Sequence, residues 1–125
     1  MCIRDSSWAD YVPQETVFWR RSIWERSGAG LDTGFRFALD WDLLLRFRDA
    51  GARFVRLPRY LGAFRVHDAQ KSAERVTVGR PEMERLRERV HGRAVSQAET
   101  GEAIKPYLRR HRRLDRMQRL GLVRH

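Results

Sequence analysis

The sequence predicts an α/β segment, an incomplete sheet whose strands are separated by short helices, followed by basic α-helices. Three observations lead there. Short runs rich in β-branched and aromatic residues at 11–19, 53–57 and 60–66 alternate with stretches patterned for helix. All four Trp and all six Phe precede His67, which puts the core-forming material in the first half. Residues 1–70 carry 11 Arg against 9 acidic groups, whereas residues 71–125 carry 15 Lys and Arg against 7, so the excess charge belongs mainly to the second half.

Residues 1–6 fit no periodic pattern and read as a non-native start. From Tyr11 to Trp19 the run YVPQETVFW surrounds Pro13, which predicts an extended stretch, either a strand or a loop lining a pocket. Arg20 to Ser27 predicts a short helix with Ile23 and Trp24 inward and Gly28 as a left-handed cap. Three glycines in GAGLDTGFRFAL, residues 28–39, predict a loop. A second helix follows from Asp40 to Gly51, opening on two carboxylates and closing on glycine, with Trp41, Leu44, Leu45 and Arg48 at helical neighbour spacings. Arg53 to Leu57 predicts a short strand stopped by Pro58, and YLGAFRV, Tyr60 to Val66, a second extended stretch ending at His67.

Beyond a polar loop at 68–72 the chain changes character. One helix is expected after Pro81 with Met83, Leu86 and Val90 as its apolar stripe, and another carries Ile104, Leu108, Leu114 and Met117 beside a crowd of arginines between Arg109 and Arg119. The organisation expected is therefore a mixed part at 7–72 and a basic helical tail at 73–125.

With 125 residues the chain has room for one small core. Its formal charge of +10 predicts affinity for polyanions without saying which. Only Lys71 and Lys105 among the 26 basic residues are lysines, so the charge is almost wholly guanidinium, which forks onto phosphates and carboxylates. A single cysteine, Cys2, excludes an internal disulfide framework and a zinc site built on several cysteines. No run approaches the roughly 18 apolar residues of a membrane span, and the N-terminus lacks a signal-peptide core. The expectation is a cytoplasmic chain, at most peripheral to the inner face of the membrane.

Taken in order, PQETVFWRR, a short helix ending in glycine, the GLD turn leading to LDWDLLLR, a strand, and AFRVHDAQKS resemble the C-terminal half of a family 2 glycosyltransferase, from about Val12 to Ser72. The resemblance implies a GT-A type, Rossmann-like fold and transfer of a sugar from a nucleotide-sugar donor to an acceptor hydroxyl. By position in the motif, Asp40 becomes the catalytic base. Leu39 stands where the family's preceding Glu would be, so one acceptor-contacting carboxylate is absent. Gln14, Trp41 and Asp42 fall on the acceptor side, Arg65 beside the diphosphate, and His67 at a position that can ligate a divalent metal, Mn2+ or Mg2+. The donor half, with its metal-holding Asp-x-Asp, has no counterpart here, because the one Asp-x-Asp is Asp40-Trp41-Asp42, 27 residues before His67. The chain is thus expected to be a fragment of such an enzyme, without turnover alone.

The residue types also suit that chemistry on their own terms. A carboxylate can take the proton of an acceptor hydroxyl as the new C–O bond forms, more effectively where desolvation raises its pKa. The plainer alternative is that Asp40 and Asp42 simply favour the positive end of a helix dipole. A different class of reading is a small basic binding module that docks on an anionic membrane surface or nucleic acid through the Arg-rich C-terminal helix. The basic residues there are not interleaved with aromatics, which argues against nucleic acid.

Overall fold

The computed structural model describes residues 7–10, 12–55, 61–63 and 76–122. These form α1 (Arg21–Arg26), α2 (Leu39–Asp49), α3 (Gly79–His91) and α4 (Gln97–Arg119), with a 3-10 turn at Gln14–Thr16. No strand occurs among the described residues, and the α/β expectation with its incomplete Rossmann-like sheet is overturned.

The reason lies in what β-branched residues require. Their preference for strands reflects packing on a pleated, half-buried surface beside a neighbour that takes the backbone hydrogen bonds. Here Pro13 instead starts the 3-10 turn, its carbonyl accepting both the Thr16 amide and the Thr16 hydroxyl, at 3.1 and 3.0 Å. Phe18 then points largely into solvent, and Trp19 is half exposed, its other half packed beside Trp24 and Phe47. Residues 52–55 form no ladder with a described residue, and beyond Ala52, which packs on the cluster at α1, Phe54 and Val55 are both exposed. Of the third expected strand only 61–63 are described, and they too lack a ladder.

The expected helices do form, and glycine ends two of them as the sequence implies. Gly28 and Gly51 adopt φ of 100° and 80°, which turns the chain so that Ala29 donates to the Trp24 carbonyl and Ala52 to the Phe47 carbonyl, both at 2.9 Å. The central element is α2, whose apolar residues serve two clusters. Trp41 and Leu45 pack with Phe35, Ala38 and Leu86 of α3, flanked by Met83 and Val90. Leu43, Leu44 and Phe47 pack with Ile23 of α1, flanked by Val12, Val17 and Trp24. Leu86, at the centre of the stripe read from the sequence, has no exposed surface. The helix α3 is therefore part of the same core as α2, and the basic half contributes directly to the fold.

Polar contacts close this arrangement. Glu82 of α3 accepts the amides of Arg36, Phe37 and Ala38 at 2.8–2.9 Å, which fixes the loop immediately before α2. Burial works against its charge, but the three amides and the nearby Arg85 outweigh that, and the Glu82 carboxyl sits below the ordinary range. A Cβ on Gly79 would stand 2.7 Å from the Phe37 ring, so the start of α3 and this loop touch at van der Waals distance. At the start of α4, Ser96 and Glu99 exchange hydrogen bonds in a capping box, the Glu99 amide donating to Ser96 Oγ and the Ser96 amide to Glu99 Oε2, both at 3.1 Å.

Candidate functional site

Asp40 stands in the first turn of α2, where the helix dipole favours negative charge. Its Oδ1 accepts the Trp41 amide at 2.8 Å. It lines a cavity of about 140 Å³ together with Gln14, Trp19, Trp24, Leu31 and the apolar side chains of α2 that face α1. Trp19 and Trp24 lie nearly parallel, with ring centroids 6.1 Å apart. They are also the shared wall between this cavity and a wider, open hollow of about 310 Å³ bounded by Arg21. The smaller cavity alone is below the ~300 Å³ of a typical small-molecule site; the hollow beside it reaches that size.

Desolvation by burial pushes the Asp40 carboxyl above its ordinary pKa, and the negative charge of Glu15 adds to the shift against the pull of the Trp41 amide. A third carboxylate lies in the same field. Asp10 is pushed up to about 6, first by the protein packed around it and then by the charge of Asp40, while a hydrogen bond from the Val12 amide opposes the rise. Asp10 is nevertheless an exposed residue, and solvent screens both effects. Gly62 closes over this region, since an added Cβ there would meet the Glu15 carbonyl at 3.0 Å.

The structure thus brings Asp40 and Gln14 to one cavity and separates them from their expected companions. Trp41 is buried in the cluster with Leu86, and the Arg87 guanidinium lies over its ring, 5.5 Å from the centroid. Asp42 has no exposed surface at all. Its Oδ2 accepts Arg46 Nε at 2.8 Å and its Oδ1 accepts Arg89 Nη2 at 2.6 Å. Arg46 also donates to the carbonyls of Ser27 and Gly30, at 3.1 and 2.8 Å, so the Asp42 carboxylate ties α2 to α3 and to the loop after α1. Both residues work inside the core and neither reaches the cavity. Arg65 and His67 lie outside the described residues.

Trp19, Trp24 and Asp10 belong to the site, yet sequence pattern does not select them for it. The two tryptophans look like core residues, and Asp10 lies thirty positions from Asp40 with no motif around it. The one signal was the run 11–19, read as a strand or a loop lining a pocket, which ends on Trp19.

Among the described residues, no three His, Cys, Asp or Glu side chains gather as a metal site would. The described side chains do not compose the expected Mn2+ or Mg2+ site. Also among the described residues, no helix is long and apolar enough to cross a membrane. Comparison with known proteins finds no matching family model, no similar curated protein and no similar solved structure.

Proposed function

We propose that this chain carries the acceptor side of a glycosyltransferase of the family 2 kind, with Asp40 as the general base. The observation that supports it most is a carboxylate in the first turn of a buried helix, raised in pKa by desolvation, at the wall of a cavity that also holds Gln14 and two tryptophans. Tryptophan faces suit the apolar face of a sugar ring, and a Gln amide can both donate to and accept from its hydroxyls. In the step itself the acceptor hydroxyl loses its proton to Asp40 while its oxygen bonds to the anomeric carbon. The bond from that carbon to the donor phosphate breaks, and the electron pair leaves with the nucleoside diphosphate. A base with a raised pKa is better matched to this task near neutral pH.

The nucleotide-sugar donor would be held by residues other than those lining this cavity. The test extends the coding sequence upstream to include an Asp-x-Asp donor motif and measures transfer of labelled sugar from a panel of nucleotide-sugars to hydroxyl acceptors. Asp40→Asn is expected to lower transfer by about 10²-fold or more, the usual contribution of a positioned base. Undiminished transfer by Asp40→Asn, or an upstream sequence with no donor motif, overturns the proposal.

A further inference from the structure

The C-terminal half of α4 presents a charged face that nothing described above uses. At about 100° per residue, Arg109, Arg112, Arg113 and Arg116 fall within roughly 100° of one another around the helix. All four are exposed, and none of their guanidinium groups makes a hydrogen bond or ion pair with a described side chain. One turn further on, Leu120 continues the same face, because its amide still donates to the Arg116 carbonyl at 3.1 Å.

The helix then stops in a defined way. Gly121 takes φ of 70° and the Leu122 amide donates back to the Met117 carbonyl at 2.9 Å. A hydrophobic residue just past such a cap commonly folds back against the helix, but here Leu120 and Leu122 stand 63% and 68% exposed. Four exposed guanidinium groups, none paired with a described side chain, therefore lead along one face to two leucines held out in water.

We propose that this face docks on the surface of an anionic lipid bilayer, with the arginines on the lipid phosphates and the two leucines entering the headgroup boundary. Clusters of four or more Lys or Arg on an amphipathic helix are the charge signature of such binding. The exposed leucines favour a bilayer over nucleic acid, which would want stacking aromatics. Tyr107, the one Phe, Trp or Tyr of α4, is half-buried and lies before the basic stretch.

The test is sedimentation of the full chain with phosphatidylcholine vesicles, with and without an equal share of phosphatidylglycerol, at 0.1 and 0.5 M salt. Binding is expected only with phosphatidylglycerol and should weaken at high salt. At about fivefold per arginine near the surface, replacing all four by Gln should weaken it on the order of 10²-fold or more. Leu120→Ser with Leu122→Ser keeps the charge and should also weaken binding, with the helical circular dichroism of the chain unchanged. Equal sedimentation on both vesicle types, or none on either, overturns the proposal. So does full binding by the leucine pair variant together with tight binding to duplex RNA, which would mark a general polyanion surface. Should the four-arginine variant fail to fold, salt dependence and the leucine pair decide the matter alone.

Discussion

The buried carboxylate of Asp42 gives the sharpest test of how this fold is held. Both of its oxygens are committed to arginines, Arg46 at 2.8 Å and Arg89 at 2.6 Å, and none of its surface reaches water. The cations differ, since Arg46 keeps 24% of its side chain exposed and Arg89 keeps 46%. Removing the acid and removing the bases are therefore unequal perturbations. In Asp42→Asn two charge-assisted bonds are lost, but both guanidinium groups can rehydrate, and Arg46 retains the Ser27 and Gly30 carbonyls. With charged hydrogen bonds worth ~1.5–3 kcal/mol each and partial recovery by the amide, the expected loss is about 2 kcal/mol. Arg46→Met with Arg89→Met leaves the carboxylate buried and uncompensated, for which a loss of about 4–5 kcal/mol is expected.

That is a large share of the ~5–15 kcal/mol typical of a whole domain. Urea unfolding followed by tryptophan fluorescence and by circular dichroism measures both variants. Adding Asp42→Leu to the double arginine variant removes the stranded charge and should restore about 2 kcal/mol or more, although the two carbonyl bonds of Arg46 stay lost. A double arginine variant no less stable than Asp42→Asn, or a triple variant no better than the double, refutes the reasoning.

Three further outcomes are expected. Glu82→Gln should cost about 2 kcal/mol in urea unfolding, because one carboxylate receives three amides that an amide side chain cannot match. Gly79→Ala should cost about 1–3 kcal/mol, since its Cβ would displace the Phe37 ring, whose backbone amide Glu82 holds in place. The Asp10 carboxyl, raised to about 6 in the folded chain against an ordinary value of 3.8, binds a proton more tightly when folded. Its contribution to stability is complete below about pH 4 and is lost as pH rises through about 6. Asp10→Asn should flatten that slope in pH-dependent unfolding, and in Asp40→Asn carboxyl NMR should find the Asp10 titration moved toward lower pH.

How much of this was legible in the sequence depends on the range of the interaction involved. Helix ends were, because Gly28 and Gly51 act on the backbone within their own turn. The stripe of α3 was, because Met83, Leu86 and Val90 repeat at helical spacing and one face must be buried. The strands expected after α2 were not, since a strand exists only with a partner, and Val55 carries the same propensity whether or not one is present; at 11–19, expected as a strand or a loop lining a pocket, the loop is what forms, with Gln14, Val17 and Trp19 on the cavity. The Glu82 clamp was equally hidden, because it joins residues more than forty positions apart by contacts to backbone amides, which leave no mark on residue type.

The two aspartates of α2 were within reach of sequence reasoning, and there the spacing decides against a shared task. Positions two apart on an α-helix are separated by about 200°, so on a helix the carboxylates of an Asp-x-Asp point to nearly opposite sides. If Asp40 faces a cavity, Asp42 must face the interior, and an interior carboxylate persists only with cations to meet it. Arg46, four residues on, is the first such cation by helical geometry alone. Arg89 is the second, brought by α3. The division of labour follows from that geometry. Asp42 uses its charge to hold three segments together, and this fixes the helix on which Asp40 lines the cavity, its carboxylate accepting the Trp41 amide.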